Sequence, residues 1–432
     1  MEFQERDAAR IASPLGEQGV NAFVILMIGM AVVIGGVLVL RLHAFLALTL
    51  AALTVAFLTS SDQIREYAQG ETNVARIKKG MTFDSPDEQA AWERQFAEKE
   101  AKRVIGMSPM GRVADGFGSM CGKIGILIAM AAVIGKCLID SGAADRIVRT
   151  ALNCFGEARA SLSFLGSGFL LGIPVFFDTV FYLMLPLGKA MRVRTGKNYL
   201  LYIMAIGAGA TMAHSLVPPT PGPLAVAEFM GVDIGTMILG GCAVSIITGS
   251  VGYGYALIAN RIWEVPLRES PDLTFEDLKE LSERKESELP PTWLAVLPII
   301  LPVILIGGNT IVKSVFKGIA DPQPWQQTAA AVCGTLGDKN IALIISAAIA
   351  LLTLAWIRRA SREKLAESVQ TALAGGGVII LITAAGGGFG TVLKQTGIAP
   401  QIGALAVEWS IPILPLAFFV TALIRTAQGS AT

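Results

Sequence analysis

Two ionisable residues sit where ionisable residues are rare. Asp178 lies inside the apolar stretch Ser161–Gly188, and His214 opens the run His214-Ser215-Leu216-Val217-Pro218-Pro219-Thr220-Pro221-Gly222-Pro223. A carboxylate at membrane depth is costly and is a functional hypothesis by default. An imidazole with a near-neutral unperturbed pKa is suited to carrying a proton. Each also has a structural alternative: Asp178 as a helix N-cap, and His214 bonded to the neighbouring backbone. Hydroxyls at Ser215, Thr220, Ser430 and Thr432 are suited to a polyhydroxylated ligand, unless their own backbone satisfies them. Lys136 and Asp140 are spaced i,i+4, which suggests a pair at a helix end, with a proton relay through Asp140 as the other option.

The elements that position these groups follow from the prolines. Four fall within six residues, at 218, 219, 221 and 223. Proline lacks an N–H and clashes with the preceding turn, so no regular helix passes through Pro218-Pro219. Apolar sequence flanks the break on both sides. The break is either an ordinary loop between two helices or a discontinuous helix. In lipid a discontinuity is tolerated only inside protein or beside a water-filled cavity, and transporters build binding sites from such breaks. The half-helix beyond it presents unpaired N–H groups and a positive dipole end, which suits a carboxylate.

Composition agrees with a membrane location. Hydrophobic residues make up 53% and charged residues 16%, where soluble domains carry about 25% charge. Mean hydropathy is +0.58. The expected partners are therefore a lipid bilayer and a small solute. A net charge of +1 gives no reason to expect nucleic acid. The first span is long enough to remain in the mature chain, so no cleaved signal is expected. Cys121, Cys137, Cys154, Cys242 and Cys333 are odd in number and irregularly spaced, so neither a disulfide framework nor a metal site is expected. No cofactor is implied.

Spans of about 20 apolar residues are expected at Val20–Leu40, His43–Ser60, Phe117–Leu138, Asn198–Ala227 with the break, Val232–Leu257, Thr292–Ile311, Asn340–Ile357 and Thr371–Leu393, with a last apolar stretch at Ile411–Ile424. A polar segment, 61–116, and a polar acidic linker, 260–291, interrupt them, after an N-terminal tail, 1–19. Short basic loops orient the spans. Lys189, Arg192, Arg194 and Lys197 form one, Arg358, Arg359, Arg362 and Lys364 another, and Arg146, Arg149 and Arg159 a third. All three are expected in the cytoplasm. Ser161–Gly188 then starts and ends on one side. Its 28 residues are too few for two crossings, which need about 40. A re-entrant hairpin with its tip near Gly172-Ile173-Pro174 fits; the alternative is one long span with a basic segment outside.

The chain also resembles itself. A shift of 255 residues lays Gly122–Ile147 on Gly377–Ile402 without gaps, with identities including Gly122/Gly377, Ala129/Ala384, Gly135/Gly390, Leu138/Leu393 and Gly142/Gly397. The loop after the first copy carries arginines, whereas 397–410 carries no Lys or Arg. The expectation is an all-α polytopic membrane protein with two inverted-topology repeats, each with three spans, a re-entrant hairpin and a broken helix. The first is placed at 20–259 and the second at 292–432. The shift lays Thr432 on Phe177, so the second repeat is expected to be truncated within its hairpin.

Gly172-Ile173-Pro174-Val175-Phe176-Phe177-Asp178, Val217-Pro218-Pro219-Thr220-Pro221-Gly222-Pro223, Gly135-Lys136-Cys137-Leu138-Ile139-Asp140-Ser141-Gly142 and Arg425-Thr426-Ala427-Gln428-Gly429-Ser430-Ala431-Thr432 resemble the gluconate permease family of proton symporters. The resemblance spans nearly the whole chain outside 61–105. It implies proton-coupled uptake of gluconate or a related sugar acid across the cytoplasmic (inner) membrane, on the fold of the ion-transporter superfamily. It adds Gly222 and Gln428 to the expected substrate site. Two features depart from the family. Thr220 stands where many members carry histidine, which bears on substrate choice, and the segment 61–105 is longer than usual.

That segment carries its own signal. Ser85-Pro86-Asp87-Glu88 reads as a capping box with proline at the first helical position, which predicts a charged helix to about Arg103 with Trp92 and Phe96 one turn apart. A solvated helix or a partner-binding role would suit it. Three readings of function stand: a proton-coupled sugar-acid transporter, a transporter of the same fold for another organic anion or using sodium, and an intramembrane enzyme or sensor. No H-E-x-x-H, G-x-S-x-G or phosphate-loop motif supports the third. The oligomeric state stays open, a homo-oligomer included.

Overall fold

The computed structural model describes residues 20–79, 85–267, 289–316 and 323–398, with isolated positions elsewhere. The described residues are helical throughout, without strands. In chain order the helices are α1 (Ala22–Ile34, continued by a π-helical turn, Gly35–Val39), α2 (Ala44–Leu58), α3 (Ser61–Lys79), α4 (Pro86–Ile105), α5 (Pro109–Ser141), α6 (Ala143–Phe155), α7 (Ala160–Gly172), α8 (Phe177–Thr195), α9 (Tyr199–Leu216), α10 (Pro221–Met230), α11 (Ile234–Ile262), α12 (Thr292–Phe316), α13 (Pro324–Leu336), α14 (Lys339–Arg358) and α15 (Arg362–Lys394). Among the described residues seven are long and apolar enough to cross a membrane, counting α9 and α10 as one broken span. The stretch Ile411–Ile424 and the site candidates Gln428, Ser430 and Thr432 lie outside the described residues, apart from isolated positions in the former.

The chain forms two compact units. Among the described residues one comprises 20–120 and 384–398, the other 121–383. These boundaries cut across the repeat boundaries expected above, because α5 and α15 each contribute to both units.

The first unit packs α1 and α2 with the ends of α5 and α15 around Ile25, Ala52, Val55, Ala56, Val113 and Val392. Gly29 of α1 lies against Val55 and Phe389, so the helices approach closely. Arg112 is buried here. Its guanidinium donates to the Ala56 carbonyl at 2.5 Å and to Gln395 Oε1 at 3.5 Å. The negative dipole end of α2 thus meets its charge.

The polar segment contains two helices where one was expected. α4 begins as the sequence predicts: Ser85 Oγ accepts the Glu88 N–H at 3.2 Å, Pro86 takes the first position, and the Trp92 and Phe96 rings stack 5.3 Å apart. On the same helix the Lys102 ammonium hydrogen-bonds Glu98 and holds its carboxyl below the usual carboxylate range. α3 was not anticipated, because its sequence, Ser61-Asp62-Gln63-Ile64-Arg65-Glu66, lacks a long apolar run. It buries a narrow face, Ile64, Ala68 and Thr72, and packs on α4.

The second unit is built on backbone-to-backbone helix contact. Gly168 and Gly172 of α7 lie against Ile206 and Ala210 of α9, and Gly209 of α9 lies against the backbone of Leu165 and Phe169. The order of these contacts makes α7 and α9 parallel. Gly188 of α8 meets Ile203 and Ile206, while Phe176 meets His214 at the other end, so α8 runs back antiparallel to α9. The chain therefore reverses at 173–176. Gly241 of α11 presses on the Leu216 carbonyl at the end of α9.

Two further helices lie outside the expected spans. α6, in the basic loop after α5, buries Ala143, Ala144, Ile147 and Val148, and its half-buried charges include Asp145 and Arg149, paired at 3.2 Å. The polar sequence between the expected spans at 292–311 and 340–357 holds α13. The short basic loop expected at 189–197 is instead mostly the last turns of α8, which is helical to Thr195 and carries Lys189, Arg192 and Arg194.

Candidate functional site

Both helix breaks fall in the second unit and meet there. α7 stops at Gly172, whose missing side chain leaves room for the Ala210 carbonyl and the Ala213 methyl. Four residues on, Phe176 meets His214 edge-on, with ring centroids 6.2 Å apart. α9 runs two residues past His214 and stops at the prolines. Ile173 and Pro174 from the first break and Pro218 and Pro219 from the second line one apolar cleft with Pro298 and Pro302 of α12. Gly135 of α5 closes on the same tip, against the Pro174 carbonyl and Val175.

The positive ends of two half-helices open from these breaks. At α8 the N-cap is Phe176, so Asp178 is not the cap that one sequence reading allowed. It is the second residue of the first turn, exposed, and forms no hydrogen bond or ion pair among the described residues. A carboxylate there is stabilised by the helix dipole. At α10, Thr220 is the N-cap and is 3% exposed. Its hydroxyl donates to the Val217 carbonyl at 2.7 Å, so its hydrogen is satisfied by its own backbone, while its lone pairs still accept. Pro221 and Pro223 carry no N–H, which leaves Gly222 as the donor among the first three helical residues.

His214 is buried, with 7% of its surface exposed, one turn before the break, and Ser215 beside it is half-buried. Asp140 lies apart from the breaks, at the end of α5. Lys136 Nζ is 2.7 Å from one carboxylate oxygen and Ser368 Oγ donates to the other at 2.8 Å. The Arg358 Nε–H donates to its main-chain carbonyl at 3.0 Å. One carboxylate oxygen of Asp140 thus pairs within α5 and the other binds α15, which fits the structural pair that the i,i+4 spacing suggested.

Sequence reading missed a second charged pair within the spans. Lys123 of α5 and Glu228 of α10 are 2.8 Å apart. Their signal was present, since each is a charge inside an apolar run. It was not legible as a pair, because more than a hundred residues separate them.

The family model described as GntP family permease matches residues 103–432. Among curated proteins, the chain is 33% identical over 320 residues to a gluconate permease of Pseudomonas aeruginosa, covering 74% of this chain and 68% of that one. It is 28% identical over 328 residues to a low-affinity gluconate transporter of Escherichia coli, covering 75% and 70%. It is 27% identical over 320 residues to a Gnt-II system L-idonate transporter of the same bacterium, covering 74% and 70%. No solved structure matches the chain.

Proposed function

The chain belongs to the GntP family of permeases, multi-pass inner-membrane transporters rather than enzymes, and from that premise we propose that it takes up gluconate or a related sugar acid together with protons. The observation that carries the reading is the convergence of two helix breaks in one unit, with two half-helix N-termini opening from it. Such ends bind carboxylates through free N–H groups and the helix dipole. Gly222 N–H, the Thr220 lone pairs and the Ser215 hydroxyl are the groups offered to the substrate, with Gln428, Ser430 and Thr432 as expected counterparts from the second repeat. Asp178 and His214 are the proposed proton carriers. Relatives named for gluconate and for L-idonate match at similar identity, so a related hydroxy acid is the second reading.

The inverted repeat is part of the same proposal, and the geometry of α5 and α15 supports it. In the first unit Gly116 faces Thr391, Met120 faces Gly387 and Arg112 reaches Gln395. In the second, Ala132 faces Gly376 and Asp140 reaches Ser368. Within each unit the two helices run antiparallel in the same register. They are also the helices that the 255-residue shift superimposes, and each is followed by a left-handed glycine, Gly142 at φ +81° and Gly397 at φ +74°. Two copies of opposite orientation produce this relation. Single cysteines at Thr195 and Glu408, in a background without the five native ones, are expected to label from opposite sides of the membrane. Labelling of both from one side would remove the inverted repeat.

Uptake of labelled gluconate into proteoliposomes holding the full-length protein tests the function. Accumulation is expected with an inside-alkaline pH gradient and not with a sodium gradient. Accumulation driven by sodium alone would sink proton coupling. Failure of unlabelled gluconate to compete, with competition by another organic anion, would sink the substrate.

A further inference from the structure

Two charges within the spans are used by none of the roles above. Lys123 lies midway along α5, and Glu228 lies in the last turn of α10. Their side chains meet at 2.8 Å. Neither placement serves local stability. A carboxylate in the last turn faces the negative end of its own helix, and lysine or glutamate within a span is costly unless paired. Apolar residues of similar size would hold two helices together about as well, since replacing such a pair is often neutral or stabilising. A charged pair differs from an apolar contact in one respect: its partners can part into water.

The surroundings of Glu228 give that difference a use. α10 is ten residues long and is bounded at both ends by irregular backbone. On one side is the break at 217–220. On the other is Gly231, left-handed at φ +64°, followed by the turn into α11. α10 carries Gly222 at its open end and Glu228 near its closed end. α5 meets the other break through Gly135, twelve residues from Lys123. One straight helix thus touches the hairpin tip by close packing and the half-helix by an ion pair.

We propose that Lys123 and Glu228 form a breakable tie that docks α10 on α5 in the conformation described here and parts when α10 moves during transport. Both are positioning residues and neither touches substrate. The inference rests on the transport reading above and adds a moving part to it.

The test is a reversible bridge. Lys123→Cys and Glu228→Cys are combined in the full-length protein lacking its native cysteines, reconstituted, and joined by a short bifunctional thiosulfonate. Gluconate uptake is expected to fall about tenfold or more when bridged and to return on reduction with dithiothreitol. Undiminished uptake by the bridged protein would overturn the tie, because a static contact tolerates being fixed. If the unbridged double variant is itself inactive, Lys123→Glu and Glu228→Lys decide. Recovery by the swapped pair over either single change supports the tie, and no recovery overturns it. The unaltered protein is assayed in parallel. Its failure to take up gluconate would count against the proposed function and not against the tie.

Discussion

Replacing Asp178 by asparagine is expected to abolish accumulation driven by a pH gradient while leaving exchange across the membrane intact. The substitution keeps the shape of the first turn of α8 and removes the titrating group. Exchange needs binding and alternating access but no net proton movement. For a monoanion carried with one proton the membrane potential drops out, and a pH difference of one unit sustains about tenfold accumulation. The variant should equilibrate at about onefold. His214→Gln makes the same test of the imidazole that meets Phe176. Asp178 is the stronger candidate, since it sits exposed at a dipole end with no partner among the described residues, whereas His214 is buried against a ring. If both variants still concentrate substrate against its gradient, neither is the carrier, and the engaged carboxylate of Asp140 would have to be reconsidered.

The second large effect concerns the seam between α7 and α9. A methyl group at Gly209 would run into the Leu165 carbonyl oxygen and lie 2.9 Å from the Phe169 nitrogen. Both are backbone atoms of a helix and cannot turn aside. Gly209→Ala is therefore expected to cost about 3 kcal/mol or more, seen as a lower unfolding temperature in detergent and lower yield. Gly207, two residues earlier on the same helix, has nothing within 4 Å of its added methyl. Gly207→Ala should be neutral or stabilise by up to about 1 kcal/mol, the usual gain for alanine over glycine in a helix. Equal behaviour of the two variants would contradict the parallel packing described here.

Much of the site's scaffold was legible because its signals are local. Prolines at 218 and 219 announce a break wherever they fall in an apolar run, and Gly172-Ile173-Pro174 marks the point where the chain reverses. Ser85-Pro86 and the Lys136–Asp140 spacing declare themselves within one helical turn. The helices α3 and α6 were hidden because each buries only part of its surface, and α13 has no buried residue, so none shows the long apolar run by which spans are recognised. Arg112 and the Lys123–Glu228 pair depend on which helix faces which, information carried by packing rather than by neighbours in sequence. The start of α8 is a related case: Asp178 has the chemistry of an N-cap, the structural alternative its sequence allows, but the cap lies two residues earlier, at Phe176.

The glycine seam has a mechanical corollary. Where side chains interlock, two helices can slip by exchanging rotamers. Where main chain rests on main chain, no such slack exists, and interiors packed this closely transmit strain. Gly168, Gly172 and Gly209 therefore couple α7 to α9 like parts of a single casting. A push on the tip at Pro174 would arrive undamped at the end of α9, so tip and helix end would travel as one piece and the compliance of the assembly would reside beyond them, in the irregular backbone at 217–220 and the turn around Gly231.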